Sequence, residues 1–115
     1  MMQHVTIHTA NLEEAAAFYE KHIGLHIITD LRPFGSPIVF LGMTPDETKV
    51  ELIEEPEKAF QGSGISIGFP TDDIEASHAY FTEQGLAPSP IIRPNPQTAF
   101  FFVKDPTGLT VQIIK

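Results

Sequence analysis

Apolar and polar positions alternate from His4 to Thr9, the period of a strand with one buried face. The pattern then changes to helical spacing. Leu12, Ala15, Ala16, Tyr19 and Ile23 fall on one face, with Asn11 as N-cap and Glu14 at the third helical position. Gly24 supplies the stop, and a protonated His22 would suit the helix C-terminus. Strand patterns follow over 25–31, 38–43 and 48–54, separated by a Pro- and Gly-bearing turn at 32–37 and a second turn at 44–47. An acidic, then glycine-rich stretch, 55–64, interrupts the pattern.

The same order then recurs. Ile65, Ile67 and Phe69 alternate as a strand. Asp72 or Asp73 can cap the next helix, Asp72 forming a capping box with Glu75. Its apolar face runs Ile74, Ser77, His78, Phe81, and Gly85 ends it. An irregular edge strand is expected over 86–92, broken by Pro88 and Pro90. Strands over 98–103 and 109–114 flank an Asp105-Pro106-Thr107-Gly108 turn. Sliding one half onto the other places Leu12 on Ile74, Phe18 on Tyr80, Tyr19 on Phe81 and Gly24 on Gly85. The triplet Val50-Glu51-Leu52 meets Val111-Gln112-Ile113. The matching order of elements, more than identity, makes this a duplication.

The expectation is an α+β fold of two tandem βαβββ modules, about 1–57 and 62–115, forming a curved mixed sheet around a cleft within a single domain, 1–115. Strand parity sends Val5 and Ile7 toward the helix, and His4, Thr6 and His8 toward the cleft. Ser66 and Gly68 point the same way in the second half, as do Glu51 and Gln112 in the matching triplets. His4, Glu51, Ser66 and Gln112 are thus two repeat-related pairs of polar residues among apolar neighbours. Burying such groups is costly unless a partner satisfies them, and His with Glu suits a divalent metal.

Composition narrows the function classes. A length of 115 residues fits one domain. Fifteen acidic against seven basic residues give a net charge of −8, which disfavours nucleic acid and anionic membranes as partners. The absence of cysteine excludes disulfides, thiolate metal sites and cysteine nucleophiles. It also fits a reducing, cytoplasmic location. No apolar run is long enough to span a bilayer, and Met1-Met2-Gln3-His4 does not open a secretory leader.

At these residues the chain resembles the glyoxalase / bleomycin-resistance / extradiol-dioxygenase family, the vicinal oxygen chelate superfamily. The resemblance is carried by His4-Val5-Thr6-Ile7, by Asn11 to Tyr19 with Gly24-Leu25, by Val50-Glu51-Leu52, and by Val103 to Gly108 leading into Val111-Gln112-Ile113. It spans essentially the whole chain. It implies the paired βαβββ fold, a cleft shared by two modules and a homodimer. It also implies four metal-ligand positions, falling here on His4, Glu51, Ser66 and Gln112. Relatives carry His at the third and Glu at the fourth, so Ser66 removes a ligand and Gln112 keeps an oxygen without the charge. Three metal candidates remain: His4, Glu51 and Gln112.

Two function classes follow. The first is a glyoxalase-like lyase or isomerase in which a divalent ion (Zn, Ni, Mn or Fe) chelates vicinal oxygens of a small-molecule substrate, with Glu51 as ligand and catalytic base. The second is a metal-free drug- or metabolite-binding protein of the bleomycin-resistance type, built on an apolar pocket. Ring-cleaving dioxygenase chemistry needs two histidines and a carboxylate, a set these positions do not provide. Substrate contacts are expected from Ser66, His8, Arg32, Phe100 and Phe102, with Arg93 matching Arg32 in the second half. Ordinary surface or packing positions are expected for His22 and His78.

Overall fold

The computed structural model describes all of residues 1–115, which divide into two compact units, Met1–Gln61 and Gly62–Lys115. In the first, strand β1 (His4–Thr9) leads into helix α1 (Leu12–Phe18). Asn11 caps the helix by accepting the Glu14 N–H at 3.0 Å. Leu12, Ala15, Ala16, Phe18 and Tyr19 are buried, so the small alanines bring α1 close onto the sheet. The helix widens into a π-turn over Tyr19–Ile23 and stops at Gly24, whose φ of 87° favours glycine.

Strands β2 (His26–Asp30), β3 (Ile38–Gly42) and β4 (Lys49–Glu54) complete a four-stranded sheet of order β1-β4-β3-β2. β1 and β4 run parallel, and the other pairings are antiparallel. Val39, Leu41, Val50 and Leu52 form the buried face, and α1 packs on β3 and β4. Ile7 and Thr9 complete that face on β1, whereas Val5 near the strand's start is only half-buried.

The second unit repeats this plan with β5 (Ser66–Pro70), α2 (Ile74–Glu83), β6 (Ile92–Asn95), β7 (Thr98–Lys104) and β8 (Thr110–Ile114). Its sheet order is β5-β8-β7-β6, again with one parallel pair, β5 with β8. Ile74 and Phe81 of α2 bury against Ala99, Phe101, Val103, Val111 and Ile113. The tandem βαβββ reading therefore describes the chain, each module carrying its own four-stranded mixed sheet.

Three local expectations are corrected. The strand expected over 86–92 is absent, and β6 begins only at Ile92. Ala87 sits at φ 47° between a helix end and two prolines, and this breaks the extended run. Ser89 ties the segment to the sheet. Its N–H donates to the Phe102 carbonyl, and its Oγ accepts the Phe102 N–H, both at 2.9 Å. The second helix is capped by Asp73, which accepts the Ala76 N–H at 3.0 Å, so the Asp72–Glu75 box does not form. His22 is also less suited to be a cationic C-terminal cap than its position suggests. Burial, then Lys21, lowers its pKa from the ordinary 6.5, and its ring meets Phe18 edge-on.

Candidate functional site

On the first sheet, parity puts His4, Thr6 and Glu51 on the face away from α1, and the register brings them together. Glu51 lies opposite Thr6 on β1 and opposite Phe40 on β3. Its side chain is only 13 % exposed. The Thr6 hydroxyl donates to Glu51 Oε1 at 2.5 Å, the range of a charge-assisted bond. His4 Nε2 stands 3.4 Å from that same oxygen, and its ring meets Phe40 edge-on at 5.4 Å between centroids.

The 3.4 Å separation bears on whether a metal fits. It exceeds the ~3.2 Å limit of a good N–H···O bond. It is close to the ~3.3 Å edge that two ligands at ~2.0–2.1 Å span around tetrahedral zinc. His4 and Glu51 thus fit two neighbouring corners of a coordination sphere. No group of three or more His, Cys, Asp or Glu side chains assembles in the chain. Further positions would have to be taken by neutral oxygens such as water or substrate.

The repeat-equivalent positions of the second sheet carry weaker donors. Gln112 on β8 lies opposite Gly68 on β5 and Phe102 on β7. A Cβ at Gly68 would come within 3.2 Å of Gln112 Oε1, so the amide oxygen lies over bare backbone. Ser66 pairs in register with Thr110. With Gly64, Ile65 and Phe102 these two line an open depression of about 240 Å³. Phe100 and Phe102 share this face, ring to ring at 5.6 Å. Phe101 points the other way and is fully buried against His78 and Phe81. Alternation alone left open which aromatics face outward, and α2 decides it.

The remaining candidates are engaged locally. Arg32 forms a two-pronged pair with Asp30, Nε to Oδ1 at 2.9 Å and Nη2 to Oδ2 at 2.8 Å. The hydrogen bond from Arg32 holds the Asp30 carboxyl below its usual range, and the same bond raises Arg32. Arg93 pairs with Glu75. His8 Nδ1 is 2.8 Å from Glu55 Oε1, though off the line of a hydrogen bond, and the His8 carbonyl accepts the Phe60 N–H. His8 therefore ties the segment after β4 back to β1. His78 contacts the Ser89 carbonyl at 2.9 Å, bracing the irregular segment before β6. Sequence reasoning placed Thr6 on the correct face without giving it a partner and missed Phe40. The signal for both was their position beside Glu51, visible only once β1 and β3 are known to flank β4.

The family model described as Glyoxalase/Bleomycin resistance protein/Dioxygenase superfamily matches residues 1–113. No curated protein matches the chain significantly by sequence. Among solved structures, lactoylglutathione lyase from Agrobacterium tumefaciens superposes with a TM-score of 0.72 at 18 % identity, covering 98 % of this chain and 91 % of that one. The trypanothione-dependent glyoxalase I of Leishmania major gives a TM-score of 0.78 at 21 % identity, covering 100 % and 86 %. A glyoxalase family protein from Enterococcus faecalis gives 0.78 at 19 % identity, covering 100 % and 97 %. At these identities the structural likeness establishes the fold alone. No helix is long and apolar enough to cross a membrane.

Proposed function

The chain belongs to the Glyoxalase/Bleomycin resistance protein/Dioxygenase superfamily, and from that premise we propose that it is a glyoxalase-like lyase or isomerase acting on a small molecule with a divalent metal. The observation that supports this reading is the His4–Glu51 pair, 3.4 Å apart on the open face of the first sheet. In the proposal these two side chains hold the ion, and the family resemblance implies Gln112 as a further, neutral oxygen donor. A bound ion would supply Lewis-acid polarisation of substrate oxygens. Glu51, the carboxylate of the pair, is the proposed proton acceptor, with Oε1 held by the Thr6 hydroxyl. Ser66, Phe100 and Phe102 are the proposed substrate contacts of the second module, a polar and an aromatic surface on one face of its sheet. A homodimer is part of the proposal, as in the resemblance from which it comes.

A second reading, a metal-free small-molecule-binding protein, is favoured by one specific feature. The positions equivalent to His4 and Glu51 carry Ser66 and Gln112, which bring neither imidazole nor charge. Elemental analysis of purified protein and calorimetric titration with Zn²⁺, Ni²⁺ and Mn²⁺ separate the two. Stoichiometric uptake, lost in His4→Ala and in Glu51→Ala, is expected under the first reading. Absence of uptake at micromolar metal would overturn it in favour of the second.

A further inference from the structure

The two sheets are built to one plan, and they differ at a single cross-strand neighbour of the central polar residue. On the first sheet the residue opposite Glu51 is Thr6. On the second, the residue opposite Gln112 is Gly68. The fold thus builds the same position with no side chain at all, so a threonine there is not a requirement of the strand pairing. The hydroxyl appears beside the ionisable member of the pair and is missing beside the neutral one.

We propose that Thr6 is a positioning residue that sets the direction of the Glu51 carboxylate and, through it, the metal-holding pair with His4. This rests on the reading above that His4 and Glu51 hold a divalent ion. The physical argument is one of rotamer freedom. A glutamate side chain has three rotatable bonds and loses considerable entropy when fixed. On an open sheet face it would sample several orientations. The 2.5 Å bond from the Thr6 hydroxyl fixes it along β1. Phe40 bounds it on the β3 side and also meets the His4 ring edge-on, so both donors are braced before any ion arrives. Hydrogen-bonded neighbours of metal ligands typically contribute ~10–100-fold to metal affinity by this pre-ordering. Gln112 faces Gly68, which has no side chain to supply such a bond.

The test uses Thr6→Val, which keeps the β-branched shape and removes only the hydroxyl, and Thr6→Ser, which restores it. Zn²⁺ affinity is measured calorimetrically in the full-length protein. Side-chain scalar couplings of Glu51 are measured by NMR without metal. Thr6→Val is expected to bind zinc ~10–100-fold more weakly and to show averaged Glu51 couplings. Thr6→Ser is expected to recover both, and the melting temperatures of the two variants should stay near that of the wild type. Equal zinc affinity in Thr6→Val and wild type would overturn the proposal. So would a Thr6→Ser variant as weak as Thr6→Val, since a hydroxyl at this position would then not suffice to order Glu51. A wild-type protein that takes up no zinc would refute the metal reading instead. In that event the apo couplings still decide whether Thr6 orders Glu51, a single rotamer in Thr6→Val counting against it.

Discussion

Replacing Asp105 by alanine is expected to destabilise the second module by about 2–4 kcal/mol, although the residue touches no candidate site group. Asp105 is 4 % exposed, and its Oδ1 accepts two backbone N–H groups, from Thr107 at 2.8 Å and from Leu109 at 3.0 Å. The Leu109 bond is buried, so water cannot replace the lost acceptor. An unpaired buried donor costs ~1–3 kcal/mol, and the part-buried Thr107 bond adds ~1 kcal/mol. The backbone bonds of the turn, Gly108 N–H to Asp105 O and Asp105 N–H to Leu109 O, both at 3.0 Å, remain and keep the loss from being larger. For 115 residues the unfolding entropy is about 0.24 kcal/mol/K, so a 3 kcal/mol loss lowers the melting temperature by about 12 °C. Asp105→Asn keeps an oxygen acceptor and should lose only about 1 kcal/mol. Urea denaturation followed by circular dichroism at pH 7 reads both values. An alanine variant within ~0.5 kcal/mol of wild type would refute the reasoning, since that is the range of an ordinary surface substitution. The consequence reaches the proposed site because this turn joins β7 to β8, the strands that set Phe102 opposite Gln112.

Two further predictions follow from packing and titration. Phe101→Ala should cost ~3–5 kcal/mol, because the ring is wholly buried between His78 and Phe81, while Phe100→Ala on the outward face should cost well under half as much; equal losses in urea titrations would show the faces assigned wrongly. His22 should make the protein less stable as pH falls below about 6.5. Its folded pKa lies beneath the ordinary 6.5, so the unfolded chain takes up the proton first and gains from it until pH drops through the folded value. Comparison of wild type with His22→Gln between pH 7.5 and 5 should show a shallower decline in the variant, and an NMR titration placing His22 at or above 6.5 would contradict the assignment.

The sequence by itself determined the two βαβββ modules, because strand and helix periods are local and the buried stripes Leu12–Ala15–Ala16–Tyr19 and Ile74–Phe81 announce which face of each helix meets a sheet. It also selected the polar positions His4, Glu51, Ser66 and Gln112, since alternation fixes the side of a strand without knowledge of its neighbours. What lies beside each of them is a property of strand order and register, which one strand's pattern does not contain. Only the tertiary structure put β4 between β1 and β3, and so set Thr6 and Phe40 on either side of Glu51. It decided too that Arg32 turns back onto Asp30, only two residues away, and that Asp73, not Asp72, caps α2. Competing local partners of similar chemistry, such as Asp72 and Asp73, are distinguished by the backbone conformation at each residue. Hydrophobic alternation records which side of an element is buried and does not contain that conformation.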